Sequence, residues 1–216
     1  MMTTDTASRS TSPGFLRFCA VIGVIGVASM VLGNIVGSLV VPGHDAVADT
    51  VSQLAAGRFE IIQDVALYAL AGGIVALALG AAHCHAGDVG WGAGTVMLAV
   101  IAASVVVIGA RNEYGDGDSD GVVVHIYVVY VMGLLFFAAP LAMAAGLRAR
   151  SLVLARAAIG LALVWGAGAG LYFNAPDEIN GAVERAIGLV AMAFLLLLAR
   201  FFWIVAAGAA KSDASP

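Results

Sequence analysis

Glu60, Asp64 and Tyr68 recur at i, i+4 and i+8, a spacing that puts all three on one face of a helix. Gln63 stands beside them. Asp64 falls about one turn inside an apolar stretch, where an ionised carboxylate is costly and needs a partner. It either fixes helix packing through hydrogen bonds or lines a polar pocket. His125 stands at a similar depth in another apolar stretch, with Tyr127 and Tyr130 nearby. A histidine satisfied inside a helix bundle is the plain alternative to a functional one. Glu184 and Arg185 open a third stretch. Adjacent helical residues point about 100° apart, so each is expected to pair across helices. Arg185 is then the expected countercharge for Asp64 or Glu60. Asn34 and Ser38, one turn apart on a further stretch, complete the set. If this chemistry is catalytic, Asp64, His125 and Glu184 are the metal ligands or acid–base groups. If it is binding, the set is Asn34, Ser38, Asp49, Ser52, Asp64, Tyr68, His125 and Arg185.

Two other clusters invite chemistry and carry less. Asp116-Gly-Asp118-Ser-Asp120-Gly121 matches the first half of a calcium loop, whose alternating carboxylates supply oxygens while the glycine turns the chain. Position 12 is Tyr127 rather than a bidentate Glu, so the expectation is a solvated loop and not a metal site. His83-Cys84-His85 are consecutive, and three consecutive helical residues fan around the axis instead of chelating from one side. No Gly-x-Ser-x-Gly, His-Glu-x-x-His or phosphate-loop pattern occurs. Without a basic patch, nucleic acid is excluded as a partner. No cofactor is expected.

The elements that must position these residues are six apolar segments, at about 15–41, 61–82, 89–110, 122–146, 152–173 and 183–207. Each meets the ~20 residues that a helix needs to cross ~30 Å of hydrocarbon. Charged residues are only 11% of the chain and hydrophobic ones 62%, against ~25% charged in soluble domains. The fold expected is all-α: one six-helix transmembrane bundle over 15–210, with disordered tails at 1–14 and 211–216. Arg9, Arg17, Arg148, Arg150, Arg156, Arg200 and Lys211 fall on the side of the termini, and only Arg58, Arg111 and Arg185 on the other. The positive-inside rule therefore places both termini in the cytoplasm. Cys19 and Cys84 read as separate buried thiols. Gly33/Gly37, Gly90/Gly94 and Gly166/Gly170 have the spacing that lets helices approach closely. They serve packing inside the bundle or the seam of a homo-oligomer. Pro140 is expected to kink the fourth segment, because it lacks a backbone donor.

Asp49-Thr-Val-Ser-Gln-Leu-Ala-Ala-Gly57, after the first segment, resembles the Thr-[Ile/Val]-Ser-x-Leu-x-Ala stretch of the domain-of-unknown-function 998 family of prokaryotic membrane proteins. The resemblance extends over nearly the whole chain. It implies a six-helix bundle with this stretch in the first external loop, a histidine near the fourth span (His125) and an arginine early in the sixth (Arg185). Gln53 stands where such proteins often carry an acid. The layout is also similar to the Frag1/DRAM/Sfk1 group, which implies a link to lipid organisation. Thr50 and Ser52 suit the cap of a short helix lying over the bundle mouth.

The polar residues gather in the half away from the termini. Together with the resemblance, they lead to the expectation of a plasma-membrane protein with an outward-facing polar pocket. It would bind or handle a lipid or other amphiphile of the outer leaflet, with membrane lipids as partners and without catalysis. A membrane-embedded metal-dependent hydrolase or transferase is the first alternative, and a small solute transporter the second.

Overall fold

The computed structural model describes residues 11–87, 89–110 and 124–212, with side chains as far as 210. All its regular elements are helical, and no strand occurs among the described residues. Six helices are long and apolar enough to cross a membrane. They are α1 (Pro13–Val40), α3 (Glu60–Cys84), α4 (Val89–Ala110), α5 (Val124–Arg148), α6 (Leu152–Tyr172) and α7 (Asn180–Ser212). A single turn, α2 (Val51–Leu54), lies between the first two. The chain is a multi-pass membrane protein.

Helix ends follow local chemistry. The Ser12 Oγ accepts a hydrogen bond from the Phe15 N–H, and Pro13 occupies the first turn, where its missing donor costs nothing. α1 therefore begins two residues before the segment predicted for it, and Pro13 and Gly14 are helix, not tail. The Ser151 Oγ caps α6 in the same way. α3 stops at His85, which turns into the left-handed region (φ 43°). α7 runs to Ser212, so Lys211 and Ser212 are also helical.

The helices form a closed ring in the order α1, α3, α4, α5, α6, α7, with α7 returning to α1. The ends of the helices alternate between two faces. One, the terminal face, carries both chain ends. There the Ser12 N–H donates to His83 Nε2 at 2.9 Å and the Phe15 ring meets His83 edge-on, tying the start of α1 to the end of α3. The other, the loop face, carries the α1–α3 and α6–α7 connections. The α1 and α3 backbones approach closely at Gly26 and Gly73. A Cβ on Gly26 would stand 2.8 Å from the Ala69 carbonyl oxygen and 3.0 Å from the Gly73 Cα.

The close-approach glycines named from sequence are engaged within the chain. Gly33 lies against Ala66, Gly37 against Leu54, Gly94 against Met143 and Gly166 against Phe137, whereas Gly170 has no described atom within 4 Å of a Cβ position. Near the terminal face the ring is filled. Trp91, Met143, Leu147, Phe201 and Phe202 are buried there, and the Trp91 indole N–H donates to the Ala81 carbonyl at 2.8 Å. Toward the loop face the filling stops.

Candidate functional site

The loop after α1 is strapped onto the start of α7. A helix N-terminus leaves its first N–H groups unpaired. In α7 the Gly181 N–H donates to the Ala48 carbonyl at 3.1 Å, and the Ala182 N–H to the Val47 carbonyl at 2.9 Å. Gly181 permits this approach, since any side-chain carbon there would collide with the Asp49 carbonyl. Arg185, one turn on, spreads its guanidinium over the same segment. Its Nη1 donates to the carbonyls of Ala46 (3.0 Å), Asp49 (2.7 Å) and Gly181 (3.1 Å), and its Nη2 to His44 Nε2 (2.9 Å). Glu184 takes the other polarity: its Oε2 accepts the Val51 N–H at 2.7 Å, at the partly buried start of α2.

The strap also holds itself. The Asp49 carboxylate accepts from the Asp45 N–H at 2.8 Å, and the Asp49 N–H donates to the Asp45 carbonyl. His44 Nδ1 stands 3.5 Å from the Asp49 carboxylate. The His44 side chain is 2% exposed, and burial pushes its pKa below the ordinary 6.5. The Arg185 guanidinium adds to that depression, while Asp49 and Asp45 oppose it. Neutral His44, with a proton on Nδ1 and a lone pair on Nε2, fits both neighbours.

The expected short helix is present as α2, with Thr50 as its N-cap. Gln53 has a clear part in it, because its side-chain oxygen accepts the Thr50 N–H at 2.8 Å. Ser52 sits inside the turn and exchanges a hydrogen bond with the Thr50 hydroxyl at 3.1 Å.

Behind the strap lies a cavity of about 630 Å³. Its wall draws on every helix of the ring and on Val51 of α2, and most of it is apolar: Met30, Leu70, Phe136, Trp165 and Ile187 are representative. Trp165 is fixed by its indole N–H, which donates to the Gly133 carbonyl at 2.8 Å, and by a ring contact with Phe136. Leu134 and Leu189 line the cavity yet are 65% and 58% exposed. The space therefore opens sideways among leucines at hydrocarbon depth. Polar lining is sparse: Asn34, Glu184, Arg185, Tyr130 and Tyr172.

Asn34 and Arg185 thus both line this cavity; Asp49 and Ser52 do not, although the Asp49 carbonyl accepts from Arg185. Glu184, proposed as an acid–base group, serves instead as an acceptor for the loop. Four expectations need correction. Arg185 does not pair with Asp64; it is satisfied by backbone carbonyls, a partner open to any arginine at membrane depth. Asp64 and Tyr68 do not line the cavity. Their face of α3 turns toward α4, where the Tyr68 ring lies 3.5 Å from the Cβ position of Gly109. His125 is buried at the loop-side end of α5 but is not among the lining residues, and neither is Ser38. Asp64, His125 and Glu184 form no common centre, since no three His, Cys, Asp or Glu side chains among the described residues converge as metal ligands. Asp116, Asp118 and Asp120 lie outside the described residues.

Sequence reasoning missed His44, Gly181 and the role of the carbonyls. A histidine between Gly43 and Asp45 shows no periodicity, and every residue carries a carbonyl. The glycine directly after the loop-to-helix boundary was the one available signal.

A family model described as "Protein of unknown function (DUF998)" matches residues 24–200. No curated protein and no solved structure matches.

Proposed function

The chain belongs to the DUF998 family of proteins of unknown function, and we propose that it binds one amphiphile of the outer leaflet in the cavity behind the strap. One observation carries this reading: an apolar cavity of about 630 Å³ with its polar groups at one end and leucine-rimmed access at lipid depth. Its volume falls in the ~300–1,000 Å³ range of small-molecule sites, which are mostly apolar with a few placed polar groups. The tail would lie along Phe136, Trp165 and Met192, and the head beside Asn34 beneath the strap. The filled core near the terminal face, built around Phe201, Phe202 and Trp91, favours a binder over a transporter.

The test is native mass spectrometry of protein extracted from its membrane in mild detergent, beside Gly188→Leu. Gly188 lines the cavity, and no described atom lies within 4 Å of its Cβ position. A lipid adduct in the parent that disappears in the variant is expected. An equal adduct in both, or none in the parent, sinks the reading.

What supports the outer leaflet is the positive-inside rule applied to Arg17, Arg148, Arg150, Arg156 and Arg200 on the terminal face, which favours cytoplasmic termini and an external strap. With Cys19 and Cys84 replaced by alanine, a membrane-impermeant maleimide applied to intact cells should label Val47→Cys and spare Ala149→Cys. The opposite pattern reverses the orientation.

A further inference from the structure

Resting on that reading, we infer that the bound amphiphile has an uncharged head that donates a hydrogen bond, a hydroxyl or amide head rather than a phosphate, carboxylate or trimethylammonium. In lipid, transferring an acyl tail from the bilayer into an apolar cavity exchanges one apolar surrounding for another. The tail therefore contributes little selectivity, and the polar end decides what is held.

That end has two charged side chains, and both are committed. Arg185 spends its guanidinium on three carbonyls and His44. Glu184 holds the Val51 N–H. They are adjacent and opposite in sign, so the lining is close to neutral. No cation among the described lining residues is left for an anionic head. An anion entering this low-dielectric space would lose its hydration without a countercharge, which is the costly case.

What is left over is amide. Asn34 lines the cavity, and its Oδ1 is buried with no hydrogen-bond partner among the described residues. Gln63, across from it on α3, is 1% exposed. Its Nε2 reaches only the Met30 sulfur at 3.6 Å, a weak acceptor, and its Oε1 has no partner. Met30 and Asn34 are one turn apart on α1 and both line the cavity. Asn34 is therefore an under-bonded primary amide at one end of the space, and Gln63, a second one outside the lining, stands behind Met30 on the neighbouring helix. Each amide offers donors and an acceptor. The orphaned Asn34 Oδ1 needs a donor, which a hydroxyl or amide head supplies without a charge, whereas an ionised carboxylate or phosphate only accepts and a trimethylammonium has no N–H to give. A monoacylglycerol, a long-chain alcohol or an amide-headed lipid has this chemistry.

Trp165 in the cavity wall supplies the readout. Dibrominated stearoyl probes with four heads would be titrated in detergent at alkaline pH: a glycerol monoester, a free carboxylate, a phosphate and a trimethylammonium. Each is read as the quenching present in the parent and absent in Trp165→Phe. The glycerol monoester is expected to bind about tenfold more tightly than the charged probes, the scale of one restored buried hydrogen bond. Asn34→Leu and, separately, Asn34→Ala should each bring the four within about threefold of one another while tail binding survives. A phosphate or carboxylate that binds as tightly as the monoester, or a preference unchanged in a folded Asn34 variant, overturns the head-group inference and leaves the cavity reading standing. If no probe quenches Trp165, the cavity reading itself falls.

Discussion

The two halves of the ring are built from the same six helices and the same kinds of residue, yet one is filled and the other hollow. Near the terminal face the glycines turned into the ring have a large residue opposite: Gly80 meets Phe202, Gly94 meets Met143 and Gly146 meets Trp91, while Gly14, Gly92 and Gly208 are exposed and meet nothing. Toward the loop face Gly133, Gly170 and Gly188 have no described atom within 4 Å of their Cβ positions, and Gly133 and Gly188 border the cavity. A glycine count therefore says nothing about packing until its neighbour is known. Small opposite large gives a dense contact, with dispersion gained over many atom pairs. Small opposite nothing gives room for a guest.

The largest effect that tests this contrast comes from adding the same side chain to each half. Gly146→Leu has nowhere to go: its Cβ would press on the Trp91 ring and stand 3.0 Å from the Ala86 carbonyl oxygen. Overpacking of a dense site costs about 1–3 kcal/mol or more, and here backbone must move as well. Gly188→Leu projects into open space and removes a helix-interior glycine, which costs about 0.8–1.0 kcal/mol relative to alanine. The expected outcome in thermal unfolding in detergent is a large loss of stability for the first variant and none for the second. Equal destabilisation by the two would mean that the hollow half is not hollow.

The sequence made the elements far more legible than their mutual facing. The segment predicted at 89–110 is helical throughout, because length and hydropathy determine a span almost alone. Thr50 as a cap was legible from residue type. Asn34 and Arg185, singled out because strongly polar residues at membrane depth are scarce, both line the cavity. Asp64 was not placed correctly. The 3.6-residue period shows that Asp64 and Tyr68 share a face, but not which neighbour that face meets; here it is α4. The ion pair expected for Arg185 failed for a different reason. An arginine can be satisfied by carbonyls, and carbonyls are invisible in a sequence. His44 was missed because only the fold of the strap brings it to Arg185.

The strap and the helices beneath it form a second, finer contrast, since hydrogen bonds tie the strap to α7. The Gly181 and Ala182 amide protons, bonded to Ala48 and Val47, report its opening by hydrogen exchange. Arg185→Ala removes the donor to two strap carbonyls and to His44. Hydrogen bonds to a charged group contribute about 1.5–3 kcal/mol each, so exchange at both amides should rise by at least tenfold while the transmembrane amides stay protected. Acid should produce a smaller change of the same kind. The pKa of His44 in the closed strap lies below its ordinary 6.5 through burial and Arg185, against the pull of Asp49 and Asp45. The opened strap therefore binds the proton more readily. The contribution of neutral His44 is complete above pH 6.5 and is lost as the pH falls through the lowered value, when imidazolium would face guanidinium and Nε2 could no longer accept. Glu184, one residue from Arg185, stays in place on Val51 and limits the release. Exchange corrected for its intrinsic pH dependence should thus rise at Gly181 and Ala182 below pH 6.5 in the parent and stay level in His44→Gln, whose amide oxygen can still accept from Arg185. Matching pH profiles in the two proteins would show that His44 does not sense acid at this site and that the carbonyls alone hold the strap.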